Sequence, residues 1–84
     1  GPGNCLMDAW IKKHHHHPFD KGGAWAASGT VIDDLLSSLL ADPYFVQPAP
    51  KSLGKEYFND AWLNAQLKSH YLPQDVQATL LAFT

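Results

Sequence analysis

Eighty-four residues suffice for at most one small domain, and with a single cysteine, Cys5, no internal disulfide can reinforce its thin core. A hydrophobic share of 45 % with 12 % aromatics excludes a disordered chain, and a net charge of −2 gives no reason to expect nucleic acid or an anionic membrane as partner. No apolar run approaches the roughly 20 residues that span a bilayer, and Gly1 to Asn4 is neither basic nor apolar enough to open a signal peptide.

The elements read as helix after helix. Asn4 is placed to cap the first, with Asp8 in the opening turn where negative charge suits the dipole. Leu6, Trp10 and Lys13 share one side, Met7 and Ile11 lie beside them, and Lys12-Lys13 suit the C-terminal end. Four histidines follow, and Pro18 marks the break. Asp20 can cap a short second helix through Trp25 to Ser28, closed by Gly29 and weakened by Gly22-Gly23. Thr30, with Asp33 three residues on, approximates a capping box and opens the third helix. Ile32, Leu35, Leu36, Leu39 and Leu40 form its i, i+3, i+4, i+7, i+8 stripe, and Asp42-Pro43 ends it.

Residues 43–55, with Pro43, Pro48, Pro50 and Gly54, read as an extended ordered loop anchored by Tyr44 and Phe45. Asn59 caps a fourth helix carrying Trp62, Leu63, Gln66 and Leu67. After a turn around His70, Pro73 takes a first-turn position in the last helix, where Val76, Leu80 and Phe83 keep helical spacing. No segment alternates convincingly with period two. The predicted fold class for residues 1–84 is all-α, with about five helices in a single unit.

Several groups could carry chemistry. His14 to His17 form a poor metal site, because consecutive side chains do not converge on one ion, and they read as a solvent-exposed loop. Gly1-Pro2-Gly3-Asn4 ahead of a helix could let backbone N–H groups approach an anion, or could be a helix-entry turn or a cleavage scar. Lys51-Ser52-Leu53-Gly54-Lys55-Glu56 lacks the Walker spacing and reads either as a solvated loop or as two lysines facing a charged ligand. Trp10, Trp25 and Trp62 read as core, and Cys5 as a small buried packing residue whose lone thiol fits a reducing, cytoplasmic setting. No hydrolytic triad, catalytic carboxylate pair or metal cluster is legible.

Three stretches carry more than spacing does. Gly1-Pro2-Gly3-Asn4-Cys5-Leu6-Met7-Asp8-Ala9-Trp10-Ile11 resembles the segment of anhydro-N-acetylmuramic acid kinases that follows their Asp-Thr-Gly-Pro motif. Asp42-Pro43-Tyr44-Phe45, Pro48-Ala49-Pro50-Lys51-Ser52, Gly54, Glu56-Tyr57-Phe58-Asn59 and Trp62-Leu63 are similar to a second hallmark, and Asp75-Val76-Gln77-Ala78-Thr79-Leu80 to the start of a later helix. The resemblance covers essentially the whole chain and passes through the histidines, which fall in a variable loop.

What it implies is a fragment of a cytoplasmic α/β sugar kinase with the actin-like (ASKHA) two-lobed fold. Such enzymes use ATP and Mg²⁺ to open the ring of 1,6-anhydro-N-acetylmuramic acid with water and phosphorylate O6, giving N-acetylmuramic acid 6-phosphate in cell-wall recycling. The family's base, the motif aspartate, would lie two positions before Gly1, so no catalytic residue and no metal ligand is expected within this chain. Gly1, Gly3 and Asn4 would mark the edge of the site near phosphate or sugar. The 84-residue chain alone is expected to be inactive, with the rest of its own polypeptide, or a second copy in a homodimer, covering Leu6, Trp10, Trp62, Leu80 or Phe83. The competing expectation is a stand-alone helical interaction module that recruits a partner helix through the stripe from Ile32 to Leu40.

Overall fold

Proline at the first helical position arrives with its φ already set and lacks only an N–H that the helix could not have used. Helices α1 (Pro2–His15) and α5 (Pro73–Phe83) both open this way in the computed structural model, which describes residues 2–43 and 58–83. Between them lie a 3-10 turn (Lys21–Gly23), α2 (Ala24–Ala27), α3 (Asp33–Leu40) and α4 (Asp60–Gln66). Every regular element among the described residues is helical, as the absence of period-two alternation predicts.

Because α1 begins at Pro2, Asn4 lies inside its first turn rather than capping it, and Asp8 falls beyond that turn. The far end is as expected: Lys12 and Lys13 occupy the last turn, but His14 and His15 join them there, so half of the histidine run is helical rather than loop. His16 then adopts φ 60° and its N–H donates to the Lys12 carbonyl at 3.0 Å, closing the helix in a left-handed conformation more often taken by glycine.

The centre of the fold is α5. Val76, Gln77, Ala78, Thr79 and Leu80 are buried in succession, so the middle of this helix is covered on every side, with α1, α2 and α3 packed against it, while Leu81 and Ala82 near its end are exposed. Leu6, Met7 and Trp10 of α1, Ala26 of α2, Leu35 and Leu39 of α3 and Leu63 of α4 complete one contiguous core with Phe58. Leu6, Trp10 and Leu80 are therefore interior, contrary to an outward-facing role, and of the five residues expected to supply some outward apolar surface only Trp62 and Phe83, packed on the core's edge, stay partly exposed. The stripe on α3 is likewise consumed: Leu35 and Leu39 are buried and Ile32 packs against the core, leaving only Leu40 of its inner positions plainly exposed. That arrangement withdraws the surface on which a stand-alone interaction module would depend.

Thr30 does not start α3. The helix begins at Asp33, and the extended approach is held from outside: the Thr30 N–H donates to Asp75 Oδ1 and the Ile32 N–H to Thr79 Oγ1, each at 2.8 Å. Tertiary partners on α5 thus replace the capping box. Cys5 is exposed rather than buried, because it lies on the flank of α1 opposite its apolar contacts. The expected anchoring by Tyr44 and Phe45 and the segment Lys51 to Glu56 lie outside the described residues.

Helix α4 is capped as its sequence predicts. Asn59 Oδ1 accepts the Trp62 N–H at 2.9 Å, satisfying one of the donors that a helix start leaves free. Asn59→Ala should lower stability by about 1 kcal/mol, readable as a shift in the urea midpoint without a change of slope. An unchanged midpoint would show that α4 is held by its packing alone.

Candidate functional site

The head of α1 is the first place to look for chemistry. Its first-turn N–H groups have no partner within the helix, and fourteen residues of aligned peptide dipoles favour a negative group there. Gly3 and Asn4 lie in that turn, whereas Gly1 lies outside the described residues. The next turn is firmly seated, since Leu6 and Met7 are buried against α5. An anion or sugar hydroxyl approaching this end would meet backbone donors on a fixed axis.

A polar seam runs beneath it. One carboxylate, Asp20, accepts the Trp25 N–H on Oδ1 and the Ala26 N–H on Oδ2, both at 2.9 Å, and so caps α2 across the intervening 3-10 turn. Gly22 and Gly23, at φ 64° and 68°, make the detour that lets the chain return to its own carboxylate. Burial pushes the Asp20 carboxyl upward, but the two N–H groups and the Gln77 amide outweigh it and hold it below the usual range. Gln77 Nε2 reaches Asp20 Oδ2 at 3.2 Å and the Met7 carbonyl at 3.3 Å. Asp75 and Thr79 tie down the approach to α3, with Thr79 Oγ1 donating to the Asp75 carbonyl at 2.8 Å.

Residue-type reasoning overlooked this seam. Asp75, Gln77 and Thr79 stand at i, i+2 and i+4, a spacing that matches no metal or catalytic pattern. Its one signal was polar residues alternating with Val76, Ala78 and Leu80 in the middle of a helix that ends in the apolar run Leu81-Ala82-Phe83.

Two of the histidines lie against tryptophan rings, and His15 also stands edge-on to His17 at 6.5 Å. His14 lies 4.2 Å from the Trp10 ring and His15 stands edge-on to Trp25 at 4.5 Å, centroid to centroid. Burial, then the charges of Lys13 and His15, lower the His14 pKa and favour the neutral ring at physiological pH. Among the described residues no three His, Cys, Asp or Glu side chains converge on a common point. An open cleft of about 260 Å³ lies at this end of α1, floored by Ile11, Phe19 and Trp25 and rimmed by His15, His17 and Lys21. It sits at the opposite end of the helix from Gly3 and Asn4.

The family model described as anhydro-N-acetylmuramic acid kinase matches residues 1–84. The chain is similar to proteins named anhydro-N-acetylmuramic acid kinase from Legionella pneumophila strain Corby (61 % identity over 84 residues), Pasteurella multocida (58 % over 86) and Pseudomonas putida (56 % over 86). In each case the whole of this chain is covered, but only 23–24 % of the relative. The chain thus spans about a quarter of the length of these relatives.

Proposed function

The chain belongs to the anhydro-N-acetylmuramic acid kinase family, and on that premise we propose that it is part of an ATP-dependent sugar kinase acting on 1,6-anhydro-N-acetylmuramic acid. The reaction opens the anhydro ring with water and transfers a phosphoryl group to O6, yielding N-acetylmuramic acid 6-phosphate for amino-sugar recovery from the cell wall, in the cytoplasm. The observation that carries this reading is the match of the family model to every residue of the chain. No helix among the described residues is long and apolar enough to cross a membrane.

In the full protein, of the actin-like two-lobed class, this helical unit would flank the cleft. Its contribution would be the head of α1, where the backbone of Gly3 and Asn4 offers donors to phosphate or sugar; Gly1, the third residue expected there, lies outside the described residues. Gly3 has no Cβ to hold a ligand away from the main chain. No metal ligand is assigned to this chain, and no step is routed through the Mg²⁺ of the proposed reaction. Bound ATP would supply the phosphoryl group, and the water-activating aspartate is expected two positions before Gly1. Phosphoryl transfer depends on several separated elements acting together. The 84-residue chain alone should therefore be inactive.

The test is phosphate transfer to 1,6-anhydro-N-acetylmuramic acid, measured for the complete protein and for residues 1–84 side by side. Transfer by the complete protein only is the expected result. No transfer by either would sink the kinase reading, and transfer by the short chain would sink the claim that it is inactive.

A further inference from the structure

Gln77 is fully buried in the middle of α5, where an apolar side chain of the same size would need no partners. The orientation of its amide is not arbitrary. Nε2 faces two acceptors, the Met7 carbonyl and Asp20 Oδ2, and turning the amide over would set an oxygen against both. With Nε2 so placed, Oε1 is buried without a hydrogen-bond partner. An unmet buried acceptor is a net cost to folding, so cheap filling of space does not explain a glutamine here.

What the amide supplies is direction. Trp10 Nε1–H donates to the Pro73 carbonyl at 2.8 Å, and Gln77 Nε2 donates to the Met7 carbonyl at 3.3 Å. Met7 and Trp10 are one turn apart on α1, and Pro73 and Gln77 one turn apart on α5, in the opposite order. The helices are therefore antiparallel, and two directional bonds pin their register where apolar packing alone would tolerate a slip of one ridge. The Met7 carbonyl lies one turn from Gly3 and Asn4, and a slip of one turn would carry that end about 5.4 Å along the axis.

We propose that Gln77 is a positioning residue for the head of α1, fixing that helix against α5 and, through Asp20, against the start of α2. This rests on the sugar-kinase reading of that end of the helix. Gln77 touches no reacting atom; it acts by holding Gly3 and Asn4 where substrate or phosphate meets them.

The test is made in the complete protein with Gln77→Met, which keeps the length and burial of the side chain and removes its donors and its unpaired oxygen. The expected result is a fall in kcat of about 10- to 100-fold, the scale of a misplacement near one ångström, with KM little changed and the melting temperature nearly kept. Amide hydrogen exchange over residues 5–10 should also quicken, while α4 is unaffected. Trp10→Phe, which removes the other directional bond but keeps an aromatic ring, should act in the same direction, and it decides the matter if Gln77→Met does not fold. A folded Gln77→Met with unchanged kcat overturns the proposal, as does a loss of melting temperature with kcat intact. If the wild-type protein transfers no phosphate at all, the kinase reading fails separately. Hydrogen exchange then decides the register alone, and unchanged exchange over residues 5–10 refutes it.

Discussion

Gly29→Ala is expected to lower folding stability by about 3 kcal/mol, the upper part of the range for overpacking a closed contact. For a domain of this size that corresponds to a fall in melting temperature of roughly 12–24 °C. Gly29 follows α2, and its N–H donates to the Ala26 carbonyl at 3.1 Å. A Cβ at this position would run into the backbone carbonyl of Gln74 and come within 2.8 Å of the Asp75 N, both in the first turn of α5. Backbone cannot rotate aside as a side-chain tip can, so α2 and α5 would have to separate. That would lengthen the bond from the Thr30 N–H to Asp75 Oδ1 one residue later.

The neighbouring glycines give a control with a different physical origin. Gly22 and Gly23 have positive φ but open space around the missing Cβ, so alanine there meets only the left-handed penalty of about 1–2 kcal/mol. The expected order in urea titrations is a loss at Gly29 exceeding that at Gly22. If Gly29→Ala melts within a degree or two of the parent, the α2–α5 approach is looser than described.

The helical content was legible because its signals are local. Pro73 at a helix start, Asn59 ahead of Trp62 and the leucine periodicity on α3 each act within a few residues, and each appears where the pattern puts it. Local signals failed where a distant partner took over. Thr30 and Asp33 spell a capping box, but Asp75 and Thr79, more than forty residues away, claim the N–H groups of Thr30 and Ile32. Asn4 has the residue type of a cap, but Pro2, two residues earlier, already starts the helix.

The expected outward face failed for a related reason: periodicity shows which residues share a side, not which side is covered. Gly29 was legible as a helix stop, but the stronger demand on it, contact with the α5 backbone, has no local signature. The candidate site divides in the same way. The head of α1 could be named from glycines before a helix, whereas the bonds from Gln77 that seat it join residues 57 and 70 positions apart.

Asp20→Ala should lower stability by about 2 kcal/mol at neutral pH, because one carboxylate serves three donors. Its loss frees the N–H groups of Trp25 and Ala26 at the start of a four-residue helix and leaves Gln77 Nε2 with the Met7 carbonyl alone. A helix so short has little propensity of its own, so α2 should fray and expose Ala26, which is now buried. The pH dependence identifies the charge as the cause. The Asp20 carboxyl is held below its ordinary range in the fold, so the unfolded chain takes up its proton first as the pH falls.

The stabilisation is thus fully present above the ordinary aspartate value of about 4 and is lost as the pH drops through the lower folded value. His14, whose pKa is also lowered, adds a loss of the same sign that begins higher, as pH falls through about 6.5. That contribution is common to both proteins and cancels in their difference. Urea midpoints for the parent and Asp20→Ala should therefore differ by a constant amount between about pH 7 and 5 and converge below about pH 4. A gap that persisted undiminished well below that point would assign the loss to packing around Asp20, and the charged cap on α2 would have to be abandoned.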